Sequence, residues 1–272
     1  MSEQVHGIFE APIYDCLRPW LNKFSAGCAP GPNELNALSD LPPLSGGGVP
    51  IRFVRPATIR SRRFADQFEV RTYQRGEIAV RESSWHDTFN ALVWLAFPRT
   101  KAAINKGHFD KLDHERVRRA QGESETMLSS GRGRTRDALT LFDESGIIVA
   151  SSNPDLLELI RLHKWKELFW SQRVEVRERM RFFVIGHALY EKAMQPYKSM
   201  TARALMLSVP GSFLDQSISM QVEEIDEQVA EGIGTPIATG AFRILPPIPV
   251  MGVPTWADNA NSDFYDDAEV FR

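Results

Sequence analysis

The sequence predicts an α+β fold: a single mixed domain with a buried helix pair packed on a small β-sheet and an extended, proline-rich C-terminal tail. Three observations carry the prediction. Residues 84–108 contain the densest apolar run, divided by Pro98 into two stretches of helical spacing. Short apolar runs at 138–142, 147–150, 182–185 and 204–209 are bounded by turn residues and read as strands. Four prolines between Leu245 and Trp256 forbid helix and central strand, so the tail is expected to lie extended.

The helix pair comes first. Ser84 with Asp87 three residues on fits a capping box. Trp85, Phe89, Leu92 and Ala96 recur at helical spacing, and Val93 and Phe97 fill a neighbouring face. From Thr88 to Phe97 only Thr88 and Asn90 are polar, the mark of a buried helix. Asn90 is therefore the odd residue, since an unpartnered buried amide costs ~1–3 kcal/mol. His86 lies one turn before it on the same face. Residues 99–106 form a second helix, opened by Pro98 and closed by Gly107. Antiparallel packing then sets His86 and His108 at the same end of the pair.

The remaining elements follow in order. Tyr14, Leu17, Leu21 and Phe24 predict an amphipathic helix over 13–24, and 26–50 is a Gly/Pro-rich loop or wrap. Residues 51–54 form a short strand. Runs at 68–73 and 77–81 flank Gln74-Arg75-Gly76 and read as a hairpin. A charged helix at 109–120 precedes a polar connection over 121–135. The runs at 138–142 and 147–150 flank Asp143-Glu144-Ser145-Gly146, predicting a second hairpin near the sheet centre, with Gly146 at positive φ. Ser152 or Asn153 caps a helix with Pro154 in its first turn. The strand at 182–185 ends at Gly186, a helix runs over 187–194, and a long helix over 212–231. Trp256, Phe264 and Phe271 anchor the tail. The expected division is 1–50 for the N-terminal helix and wrap, 51–244 for the core, and 245–272 for the tail.

Composition excludes several classes. A net charge of −3 and a pI near 6.1 give no general attraction to nucleic acid or acidic membrane. Cys16 and Cys28 are too few for a disulfide framework and form no CxxC pair. No run approaches the ~18 apolar residues of a membrane span, and the N-terminus lacks a signal-peptide pattern. The expectation is a soluble, cytoplasmic protein.

The candidate chemistry sits on the helix pair. His86, Asn90 and His108 form the expected catalytic pocket, a histidine acting as general base and Asn90 orienting it or a substrate. Arg136, Trp94 and Lys101 are the candidate ligand contacts, with Arg132 and Arg134 alongside Arg136 as a basic loop. Asp87 is read as a cap, and Asp143 as the first residue of a turn. His187 follows a strand and opens a helix, a common place for α/β sites, though a first-turn histidine is the plainer reading. No metal site is predicted, because His86 and His108 with Asp143, Asp266 or Asp267 match no metal-binding spacing. No cofactor is indicated. The SGRGRT segment lacks the ending of a P-loop, and there is no GxSxG elbow.

The WHD-FNALVW-FP-TK string, RDALTLFDESG (136–146), GHALYEKA (186–193) and LPPIPVMGVPTW…FYDDAEVFR together resemble a bacterial, mainly proteobacterial family. It is the family of uncharacterised proteins catalogued as domain of unknown function 3025. The resemblance runs from Phe68 to Arg272 and implies a cytoplasmic bacterial protein, with no reaction or catalytic residue to transfer. The function expected is therefore that of a small-molecule enzyme, a hydrolase or transferase. The alternative is a non-catalytic binding or scaffold protein. A pocket open to solvent at His86 favours the first, and a sealed, fully bonded His86 the second.

Overall fold

Helix, more than strand, shapes this chain. The computed structural model describes residues 7–24, 28–57, 63–122, 133–233 and 245–272, with the backbone alone at 133–137. Two small sheets are present among them. In the first, β1 (Arg52–Val54) pairs in parallel with β2 (Glu77–Ala79). The second has four strands: β3 (Gly146–Ser151), β4 (Met180–Val184), β5 (Thr201–Ser208) and β6 (Pro247–Pro249), in the order β4-β3-β5-β6. The central β3 runs antiparallel to β4 and parallel to β5, and all six of its residues are buried. A strand covered on both faces reads as a continuous apolar run, as Ile147-Ile148-Val149-Ala150 does.

The proline-rich segment is not an extended tail. Pro247–Pro249 forms an edge strand against β5, where a missing N–H is tolerated. Single 3-10 turns follow at Val250–Gly252 and Ser262–Asp266. Trp256 meets Phe182 edge-on, and Phe264, Tyr265 and Phe271 pack together with edge-on and tilted rings. The buried Asn259 ties the segment down by donating to the carbonyls of Met251 and Val253, each at 2.8 Å.

The helices are α1 (Arg18–Leu21), α2 (Pro32–Asn36), α3 (Phe68–Arg75), α4 (Trp85–Ala96), α5 (Pro98–Ala120), α6 (Gly133–Ser145), α7 (Pro154–Arg161), α8 (Arg173–Arg179), α9 (His187–Ala193) and α10 (Ile218–Ile233). Several depart from expectation. The 13–24 helix is broken into a 3-10 turn at Pro12–Tyr14 and the short α1, because Pro19 supplies no N–H to continue a turn from before it. The first hairpin is replaced by α3, a left-handed Gly76 (φ 66°) and β2. A Cβ on Gly76 would overlap the Pro50 carbonyl, so the glycine ends a helix and admits a neighbouring strand. Gly107 stops nothing: α5 runs through it to Ala120, absorbing the separate helix expected at 109–120. The second hairpin is wrong at its first arm. Residues 138–142 lie in α6, where Ala138, Leu139 and Phe142 are buried at spacings of one turn while Leu141 is exposed. The long 212–231 helix begins only at Ile218, after a 3-10 turn at Gly211–Asp215.

Packing centres on α4. Its residues Phe89, Ala91, Leu92 and Val93 are fully buried, and Ser84 Oγ accepts from Asp87 N at 3.2 Å. The Asp87 carboxylate does not complete the capping box; it takes both the backbone and guanidinium of Arg81. Phe9 and Tyr14 from the N-terminal segment stack with Trp85, Phe89 and Tyr190. The Tyr14 hydroxyl donates to the Tyr190 carbonyl at 3.0 Å, and the Tyr190 hydroxyl to Val184 O at 2.8 Å. The N-terminus of α5 has no cap of its own. Asp226 of α10 supplies one, accepting from the backbone of Arg99 (2.9 Å) and Thr100 (2.8 Å).

Glu77 joins the smaller sheet to α3. Arg71 hydrogen-bonds its carboxylate at 2.8 Å, and that contact, helped by Arg52, holds the carboxyl below its usual range against the opposing effect of burial. A depressed carboxyl stabilises the fold above its unfolded pKa and loses that contribution as pH falls through the folded value. Glu77→Gln is therefore expected to lower the unfolding free energy at pH 7 by about 1–2 kcal/mol. The difference from wild type should begin to shrink as pH falls below about 4.3, the ordinary glutamate value, and vanish below the depressed folded value, measured by urea titration across pH.

Candidate functional site

A close approach of two glycines builds the site. Gly186 N donates to Gly146 O at 2.9 Å, and a Cβ on Gly186 would lie within 2.6 Å of backbone atoms of Glu144, Ser145 and Gly146. Neither glycine is at positive φ, so the turn role expected of Gly146 is replaced by one of contact. The contact brings the C-terminal end of α6, with Asp143 and Glu144, against the first residue of α9, His187.

The inner layer is ionic. Lys101 of α5, 3% exposed, is ion-paired with Asp143 and donates to Asn90 Oδ1 at 2.9 Å. Its ammonium also lies 5.6 Å from the centroid of the Trp94 ring. The odd amide of α4 is thus satisfied by a residue eleven positions on, across the Pro98 corner. Burial pushes the Asp143 carboxyl up, but the Lys101 ammonium, by its charge and its hydrogen bond, outweighs it and holds the group below its ordinary value.

His187 forms the next layer and is almost wholly buried. Its Nδ1 lies 3.7 Å from Asp143 Oδ2, too long for a hydrogen bond, and its Nε2 lies 3.7 Å from Glu144 Oε2. Burial dominates over the Asp143 charge and lowers the imidazole pKa to about 4, so the ring is neutral at pH 7. Glu144, half-exposed, is raised, chiefly by burial.

His86 is outermost. It is 31% exposed in its side chain, its Nδ1 lies 2.9 Å from Glu191 Oε2, and its ring meets that of His187 edge-on at 4.7 Å. It lies in the wall of an open cleft of about 1040 Å³ lined also by Arg81, Ser84, Glu191, Lys192 and Tyr197. One ligand atom each of His86, Glu144 and His187 lies within 4.8 Å of the others.

Of the sequence candidates, Asn90, Trp94 and Lys101 meet in the inner layer. His108 is buried within electrostatic reach of Asp143. The side chains of Arg134 and Arg136, and the whole of Arg132, lie outside the described residues. Asp143 and Glu144 read in the sequence as turn residues, Asp143 also as a metal ligand without a recognised spacing, and Glu191 carries no reading there. The two acids stand in DESG, a string with the composition of a turn, and only His187 carried a positional hint.

Fold and site together define a mixed α+β protein with a layered histidine–carboxylate–lysine cluster that opens into a surface cleft. The chain belongs to the family described as protein of unknown function (DUF3025), which it matches over residues 51–272. No curated protein and no solved structure matches the chain. Among the described residues, no helix is long and apolar enough to cross a membrane.

Proposed function

We propose that the chain is a small-molecule enzyme, a hydrolase or transferase, whose reacting centre is the cluster of His86, His187 and Glu144. One observation carries this reading: His86 is partly exposed in an open cleft and backed by a buried imidazole whose Nδ1 has no hydrogen-bond partner among the described residues. A protein that needs these groups only for packing gains nothing from leaving a buried nitrogen unbonded. Nitrogen and carboxylate donors from three elements converge where the oxygen of a water or substrate hydroxyl would be held and deprotonated. Lys101, Asn90 and His108 act behind them as positioning residues by fixing Asp143.

The binding or scaffold alternative draws on the inner layer, where Lys101 satisfies both Asn90 and Asp143 as a structural network would. His86→Ala separates the two readings. Its partner Glu191 is exposed, so the variant is expected to change the unfolding free energy by less than about 1 kcal/mol. Against ester, amide and phosphoester panels it should lose at least about 100-fold of wild-type turnover. A destabilisation of ~2 kcal/mol or more, with wild type inert on every panel, would favour the scaffold.

A further inference from the structure

We propose that His86, Glu144 and His187 form a binding site for one divalent transition-metal ion of the zinc class. The donor set is two imidazoles and one carboxylate, a combination that holds catalytic zinc and leaves coordination positions for water. Donors around tetrahedral zinc stand about 3.4 Å apart, given metal–ligand bonds of about 2.0–2.2 Å. His187 Nε2 and Glu144 Oε2 are already at 3.7 Å, and all three ligand atoms fall within 4.8 Å, a span that modest side-chain rotation closes.

The outer ring of contacts points the same way. Metal-bound histidines almost always give their second nitrogen to a carboxylate or carbonyl. Glu191 occupies His86 Nδ1 at 2.9 Å, leaving Nε2 to offer, and Asp143 faces His187 Nδ1 at 3.7 Å. Each imidazole therefore has a second carboxylate of its own, Glu191 for His86 and Asp143 for His187. Independently, His187 Nδ1 is buried and has no hydrogen-bond partner among the described residues. A cation on Nε2 would polarise the ring and make Nδ1–H a stronger donor toward the Asp143 carboxylate, giving that nitrogen an acceptor. Partial exposure of His86 and Glu144 supplies the route of entry.

Binding rests on this geometry alone. Its consequence, a metal-bound water as nucleophile, rests on the enzymatic reading. The test uses untagged full-length protein, stripped with chelator and dialysed, titrated with Zn²⁺ by calorimetry and with Co²⁺ by visible absorption. One equivalent should bind, with the d–d bands of a four- or five-coordinate Co²⁺ site. His86→Ala and Glu144→Ala, both at partly exposed positions, should abolish the bands, and Glu191→Gln should weaken Zn²⁺ affinity 10–100-fold while circular dichroism stays unchanged. No stoichiometric binding by folded wild type, or binding indifferent to His86→Ala and Glu144→Ala, would overturn the site. Turnover by metal-free protein overturns the metal-bound nucleophile and keeps the enzyme; stoichiometric binding without turnover on any panel keeps the metal and sinks the enzyme.

Discussion

Lys101→Met is expected to lower the unfolding free energy by about 3–5 kcal/mol, the cost of removing one partner from a buried ion pair. Methionine matches the length of the lysine stem, so little packing is lost. The loss comes from charge. Asp143 is left without the ammonium that holds its carboxyl low, and Asn90 Oδ1 without its donor, both beneath α4. The double variant Lys101→Met/Asp143→Leu separates this from volume effects. If charge isolation is the cause, the double variant is more stable than Lys101→Met by at least about 1 kcal/mol, since an apolar replacement of both partners is often tolerated. Denaturant titration of the pair decides it, and equal losses in both would show that Lys101 matters through packing.

Gly186→Ala is the second large effect. The added methyl would press into the backbone of Glu144, Ser145 and Gly146, atoms that no side-chain rotation can move aside. Overpacking of this kind costs about 1–3 kcal/mol. More telling is where the strain goes: the Gly146–Gly186 contact fixes the distance from Glu144 to His187. Any relief separates the donors on α6 from those on α9. The variant should thus lose turnover by more than its remaining folded fraction explains, read as activity per folded molecule from calibrated circular dichroism. Activity proportional to folded protein would make the contact merely structural.

What the sequence disclosed depended on whether the signal was local. The buried character of α4, the Ser84 cap, the Asn153 cap and strands β1, β4 and β5 all follow from spacing within one turn or one run. The errors share a cause. DESG and QRG have turn composition, and in both places the residues end a helix against a strand rather than reversing a ribbon. Nothing local separates a helix-terminal glycine from a hairpin glycine; the Pro50 carbonyl beside Gly76, and Ile185 and Gly186 beside Gly146, lie far away in sequence. The site divides likewise. His86, Asn90 and Lys101 were legible because their setting on a helix pair made polar residues conspicuous. Asp143, Glu144 and Glu191 were not, because each is an ordinary acid until the fold sets it beside a histidine.

The ring stack of Phe9 and Tyr14 on Phe89 and Tyr190 bears on how this chain should be cut. The family likeness begins at residue 51, yet the helices that carry His86 and Glu191 lean on aromatic residues some forty positions upstream. A fragment started at the boundary of likeness would expose a face of Phe89 and leave the Tyr190 carbonyl without its Tyr14 donor. The segment that relatives recognise and the body that must fold together are two different lengths of chain, and expression should follow the longer.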